Sequence, residues 1–185
     1  MVPILNHKVH QLLLLILSMK SSISLIGMAG AGKTSLGRLL SSRLNFNFID
    51  SDQVIENLCG DTLQEILKKE GKNRFQEIEK NAVLSTKFNK TVLATGGSVI
   101  FLSPAMDYIK KHSEIIYIQV PYKKISDRIT NFSQRGFIKR SNQSIEEAYI
   151  ERSALYHEHA DHVVSNAGNI DDCMRQILTD VLKIS

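Results

Sequence analysis

The sequence contains no tryptophan, and aromatic residues fill only 6% of its 185 positions. Proteins that grip single-stranded nucleic acid stack bases on aromatic rings interleaved with basic side chains, and no such interleaving occurs here. Cysteine is nearly as scarce: Cys59 and Cys173 stand alone, without C-x-x-C spacing. This argues against a disulfide framework or a zinc site, favours a reducing cytoplasm, and leaves the two thiols as small half-buried hydrophobes. Neither sign of charge dominates. The 23 basic and 19 acidic residues give a net charge of +4, scattered along the chain, which suits anionic small molecules better than a nucleic-acid surface. Long apolar runs are missing too. The run Leu12-Leu13-Leu14-Leu15-Ile16-Leu17 falls far short of the roughly 18 to 20 residues a membrane helix needs, and no small-residue cleavage site follows it. Residues 1–18 are therefore expected to be an appendage ahead of a natural start at Met19, poorly ordered or packed as a stray helix. No membrane partner is expected, and residues 19–185 are read as one domain.

What the chain does have is Gly27-Met28-Ala29-Gly30-Ala31-Gly32-Lys33-Thr34, which fits the phosphate-wrapping pattern G-x-x-x-x-G-K-[ST]. An apolar β-branched run, Ile23-Ser24-Leu25-Ile26, precedes it. Residues 35–44 follow with Leu36, Leu39, Leu40 and Leu44 at helical spacing, so the motif lies at a strand-to-helix junction. That placement is what the chemistry needs. Gly27, Gly30 and Gly32 permit a tight turn of exposed amides, the helix N-terminus adds partial positive charge, and both face one anion. Ala31 and Ser35 complete the nucleotide-contacting set. In this reading Lys33 bridges the outer phosphates of ATP and Thr34 ligates Mg²⁺.

Residues 45–50 alternate polar and apolar and end in Asp50-Ser51-Asp52, a second strand with two carboxylates at its exit. These acids could serve a metal and a substrate hydroxyl separately, or one could cap a helix beginning at Gln53. Helical patterns follow over 54–58, 62–69 and 74–88, with a turn at Cys59-Gly60-Asp61 and a break at Gly71. A buried strand at 91–95 closes on Gly96-Gly97-Ser98, where glycine would allow either close approach of a ligand or a plain tight turn. A helix at 103–111, a strand at 115–120 and a helix from Pro121 to Asn131 come next. Residues 132–143, with Arg135, Gly136, Lys139 and Arg140, read as a mobile loop. A helix at 144–159 bearing Arg152 and Tyr156, a strand at 162–164 and a helix at 170–184 complete the chain. Alternating strands and helices predict an α/β fold with a parallel sheet covered on both faces.

Taken together, these pieces make residues 20–185 resemble shikimate kinase, a small P-loop kinase of the nucleoside monophosphate kinase type. The family's phosphate loop matches Gly27 through Thr34, and its F-x-D-x-D segment matches Phe48-Ile49-Asp50-Ser51-Asp52. Its glycine-rich substrate turn matches Gly96-Gly97-Ser98, and its R-P-L-L lid matches Arg135-Gly136-Phe137-Ile138. Its R-x-x-L-Y-x-x-x-A-D pattern is present in full from Arg152 to Asp161. The resemblance implies a three-layer P-loop NTPase fold, with a five-stranded parallel sheet covered by helices and a mobile lid. It also implies a monomer that phosphorylates a small-metabolite hydroxyl with Mg²⁺ and ATP. Asp50 would order Mg²⁺ through water, Asp52 would bind the reacting hydroxyl, and Arg135 would close on the phosphates. Gly96, Gly97, Ser98 and Arg152 would line the acceptor site.

The sequence departs from the family in its F-R-x-x-E segment, which here reads Phe75-Gln76-Glu77-Ile78-Glu79. Gln76 stands where the family places a carboxylate-binding arginine, so Arg74 or Arg152 would have to supply the charge. Shikimate is the first candidate acceptor. A gluconate-like or homoserine-like acceptor, or a non-catalytic nucleotide-binding module, is the alternative. Retention of Asp52, Arg135 and Arg152 argues against the last.

Overall fold

The computed structural model describes residues 20–129 and 137–184. Expectations for residues 1–18, and for Arg135 and Gly136, lie outside the described residues. Strand β1 (Ile23–Ile26) is buried at all four positions. Successive strand residues face opposite sides of a sheet, so this burial requires cover on both faces. With β2 (Asn47–Asp50), β3 (Thr91–Ala94), β4 (Glu114–Gln119) and β5 (His162–Ser165), it forms a sheet of order β2-β3-β1-β4-β5. Every neighbouring pair is parallel. Parallel strands require crossovers, and seven α-helices are present among the described residues. They are α1 (Lys33–Leu44), α2 (Ser51–Cys59), α3 (Leu63–Leu84), α4 (Ser103–His112), α5 (Tyr122–Arg128), α6 (Ile145–His159) and α7 (Ile170–Gln176).

The strand order determines where a ligand can sit. From β1 the chain crosses to β2 at one edge, whereas from β3 it passes back beyond β1 to β4. Connections diverging from adjacent carboxyl ends open a crevice between them. Register aligns those ends: Leu25 pairs with Ala94 and Ile116, and Asp50 also pairs with Ala94. The phosphate loop, the Asp50–Asp52 segment and the Gly96–Ser98 turn therefore emerge side by side.

Several helix boundaries differ from the sequence reading, each for a local reason. Helix α2 starts at Ser51, because the Asp50 carboxylate caps it by accepting from the amides of Asp52 and Gln53. Gly71 does break the periodicity, with φ 74° and ψ 169° inside α3. That helix stops at Leu84 because the hydroxyls of Ser85 and Thr86 both turn back onto the Ala82 carbonyl. Helix α5 ends at Arg128, short of Asn131, and Ile129 adopts an extended conformation that buries its side chain over the phosphate loop at Gly30. Helix α7 gives way after Gln176 to a wider π-turn over Ile177–Val181, with Ile177 fully buried.

The main core lines both sides of the sheet, with Leu25, Leu36, Leu93, Met106, Ile116 and Ile118 at or near zero exposure. A second, smaller cluster packs α2 against α3 through Ile55, Ile66, Phe75 and Ala82, and Ile138 joins it from beyond the undescribed segment. Ile138 is only 8% exposed. The carboxyl-terminal part of the expected loop at 132–143 is thus anchored in a core rather than free.

Candidate active site

A cavity of about 470 Å³ fills the crevice, lined at one end by Gly30, Gly32, Lys33, Thr34, Ser35 and Asp50. This size suits small-molecule ligands. Gly27, Gly30 and Gly32 all take positive φ. At Gly32 φ is 93°, and a Cβ there would lie 2.6 Å from the Asn166 side-chain nitrogen. Asn166 in turn donates to the Ala31 carbonyl at 2.8 Å, fastening the loop to the segment after β5. No side chain caps the N-terminus of α1 at Gly32, so the first amides of a 12-residue helix remain available to an anion. Lys33 Nζ donates to the carbonyls of Gly27 and Met28, both at 2.8 Å. Thr34 Oγ1 donates to Asp50 Oδ2 at 2.7 Å, while Asp50 Oδ1 caps α2. Of the alternatives left open for this carboxylate, the cap is realised on one oxygen, and the other oxygen meets the Thr34 hydroxyl.

At the other end the cavity is lined by Asp52, Phe75, Glu79, Gly97, Ser98, Phe137 and Arg152. Ser51 Oγ accepts from the Gly96 amide at 2.8 Å, tying the start of α2 to the exit of β3. A Cβ on Gly96 would meet Asp52 Oδ1 at 2.6 Å and Glu79 Oε1 at 3.0 Å. Glycine there makes room for two carboxylates, a role its position in a tight turn did not disclose. The Gly97 carbonyl accepts from Arg152 Nη1 at 3.3 Å and from the Tyr156 hydroxyl at 2.7 Å. Four residues apart on α6, these two side chains share a helix face, which explains the arginine-tyrosine spacing.

Arg152 is 1% exposed, and its hydrogen-bond and ring partners are neutral. Nη2 donates to the Ile138 carbonyl, the ring of Phe137 lies 4.2 Å from the guanidinium carbon, and that of Phe101 lies 5.4 Å away. Among the described buried side-chain nitrogens and oxygens, Arg152 Nε is left without a partner. A buried guanidinium flanked by carbonyls and aromatic faces is suited to a bidentate anion. Burial lowers its pKa, but an arginine remains charged at neutral pH. Glu79 is buried beside it, and its carboxyl is pushed up to about 7, by burial first and by Asp52 second. Burial likewise raises the Tyr156 hydroxyl, keeping it a neutral donor.

The shikimate kinase family model matches residues 29–182. The chain belongs to the shikimate kinase family. The shikimate kinase of Clostridium beijerinckii is 33% identical over 171 residues, covering 90% of this chain and all of that protein. That of Thermodesulfovibrio yellowstonii is 35% identical over 150 residues, covering 80% and 86%. Among solved structures, Acinetobacter baumannii shikimate kinase in complex with shikimate superposes with a TM-score of 0.80 at 31% identity, covering 90% of this chain and 94% of that one. Shikimate kinase from Aquifex aeolicus gives 0.73 at 26% identity, over 88% and 96%.

Most residues expected from the sequence converge on this one cavity. Gly27 and Ala31 support its floor without lining it, and Gly96 lies behind Asp52. Gln76 is half-buried and Arg74 exposed; the neighbouring wall is made by Phe75 and Glu79, one helical turn apart. Arg135 lies outside the described residues. Of the lining residues that the sequence reading did not assign to the site, two stand out, Arg128 and Glu79. Arg128 donates to the carbonyls of Gly30 and Asn166 at 3.4 and 2.9 Å, and its only sequence signal was a basic residue in the last turn of a helix. Glu79 could have been found from its spacing, since Phe75 and Glu79 fall on one face of α3.

Proposed function

We propose that this chain transfers the γ-phosphoryl group of ATP to a hydroxyl of shikimate. One observation carries the reading: a single cavity joins a phosphate loop at one end to a carboxylate and a buried, anion-ready arginine at the other. The Acinetobacter relative, which holds shikimate, supports the choice of acceptor.

In this proposal the loop amides and Lys33 hold the phosphates, and Arg128 adds a second cation beside Gly30. Thr34 and Asp50 would hold Mg²⁺, either directly or through water. A hydroxyl paired with a single carboxylate suits a hard cation whose remaining ligands are phosphate oxygens and water. Bound there, the ion would neutralise charge on the phosphates. Asp52 accepts the proton of the attacking hydroxyl, whose oxygen bonds to the γ-phosphorus as the bond to the ADP oxygen breaks. Arg152 takes the acceptor's carboxylate, its own hydrogen-bond partners being backbone carbonyls. Arg135 is assigned to the lid and the transferring phosphoryl. The reading includes a monomer acting in the cytoplasm, where ATP is available; among the described residues no helix is long and apolar enough to cross a membrane.

The deciding measurement is ADP release with saturating Mg²⁺-ATP, with and without millimolar shikimate. Shikimate-dependent ADP production is expected, with one phosphorylated product per ADP. ATP hydrolysis indifferent to shikimate would overturn the assignment of the acceptor.

A further inference from the structure

Phe101 is 37% exposed where Phe75 is 1%, so burial alone does not account for a phenylalanine at this position. It is not among the residues that line the cavity. It ends a single 3₁₀ turn, Val99–Phe101, that follows directly on the Gly96–Ser98 turn. Val99 and Ile100 are buried, and the Phe101 amide donates to the Ser98 carbonyl at 3.0 Å, so burial of the first two residues places the third. The centre of its ring lies 5.4 Å from the Arg152 guanidinium carbon, near enough for an aromatic face to attract a cation. Two chain segments thus hold Arg152 in the same way. Residues 97–101 supply the Gly97 carbonyl to Nη1 and the Phe101 ring; residues 137–138 supply the Ile138 carbonyl to Nη2 and the Phe137 ring, 4.2 Å away. Each carbonyl occupies an N–H. A ring face occupies none, because it attracts the charge through its quadrupole and leaves the donors to other partners. A guanidinium has five donors, and among the described residues the one on Nε has no partner.

We propose that Phe101 is a positioning residue for the acceptor: together with Phe137 it holds the Arg152 guanidinium by its π-attraction, so that Nε–H and the remaining N–H groups stay open to the acceptor's carboxylate. The inference rests on the shikimate reading above and adds to it how the arginine is kept in place before the acceptor arrives. A loose arginine would have to be ordered as the acceptor binds, at a cost in affinity. Carbonyls in place of the rings would order it but would occupy the donors that the carboxylate needs. An aliphatic side chain at 101 could cover the same surface, yet it would exert no pull on the charge. Phe101 therefore acts on acceptor binding through Arg152, and the phosphate loop at the other end of the cavity is outside its reach.

Phe101→Leu keeps an apolar cover and removes the aromatic face. KM for shikimate should rise about five- to tenfold, with kcat and the KM for ATP changed less than about twofold, and Phe101→Tyr should stay near the wild type. Fluorinated phenylalanines at position 101 test the electrostatics with little change of shape. Each fluorine draws charge from the ring face, so KM for shikimate should climb stepwise from the monofluoro to the trifluoro side chain. The loss should fall on the carboxylate: kcat/KM for the uncharged methyl ester of shikimate should be the same in all these proteins. A KM indifferent to fluorine, or a loss shared equally by shikimate and its methyl ester, would reduce Phe101 to packing and overturn this proposal alone. Should Phe101→Leu fail to fold, the fluorinated series decides the matter. A wild-type chain without shikimate-dependent ADP release would overturn the acceptor assignment and this proposal with it.

Discussion

Asp50 and Asp52 stand two positions apart and face different tasks. Asp50 is committed on both oxygens, to Thr34 and to the start of α2, whereas Asp52 points toward Gly96 and the acceptor end. Asp52→Asn keeps the shape but loses the proposed base, so kcat should fall at least about a hundredfold, while the dissociation constant for ATP, read by calorimetry, stays near that of the wild type. The sequence left capping and ligation as rival readings of this pair. It could not do more, because a cap and a metal ligand draw on the same residue type; the α2 amides show the cap on one Asp50 oxygen, and the Thr34 hydroxyl meets the other. Gln76 shows the converse limit. The pattern marked it as a departure, but the cavity wall beside it is made by Phe75 and Glu79, and only folding brings Ser98 onto Glu79. An arginine at 76 would stand three residues from Glu79, within ion-pair reach on a helix. With shikimate as the proposed acceptor, Gln76→Arg should lower KM for shikimate, as steady-state kinetics will read.

At the scale of elements, α6 carries Arg152, and its start is secured by a reciprocal cap: Ser144 Oγ accepts from the Glu147 amide at 3.0 Å, and the Glu147 carboxylate accepts from the Ser144 amide at 2.7 Å. Those bonds hold the Glu147 carboxyl below its ordinary range. Ser144→Ala should cost about 1 kcal/mol, lowering Tm by roughly 2–4 °C in thermal melts, with little change in kcat at 25 °C. This start was legible, since Ser144 lies three residues before a glutamate at the head of a periodic stretch. The ends of α5 and α7 were not. Ile129 leaves its helix to cover Gly30, and Ile177 sits in the core within a widened turn; both are tertiary contacts that a helical repeat cannot reveal.

For the molecule as a whole, the parallel order and the crevice followed from the alternation of strands and helices, because that alternation admits few topologies. The division into two clusters did not. The sheet core and the α2/α3 cluster have the cavity between them, with Phe75 contributing to both its wall and the smaller cluster. Ligands that bridge the two ends should stabilise the whole chain. With Mg²⁺-ATP or shikimate at 100 times its dissociation constant, about 2.7 kcal/mol of added stability should raise Tm by roughly 5–10 °C, measurable by scanning calorimetry, and the two together should raise it further. Asp50 also acts as a gauge in this arrangement. One carboxylate touches Thr34 at the phosphate end and the Asp52 amide at the acceptor end, at 2.7 and 3.0 Å, so in the proposed reaction a single side chain would set the gap between the phosphoryl donor and the attacking oxygen. That gap would decide whether a water molecule fits where the substrate hydroxyl belongs, and a tight gauge would separate productive transfer from futile consumption of ATP.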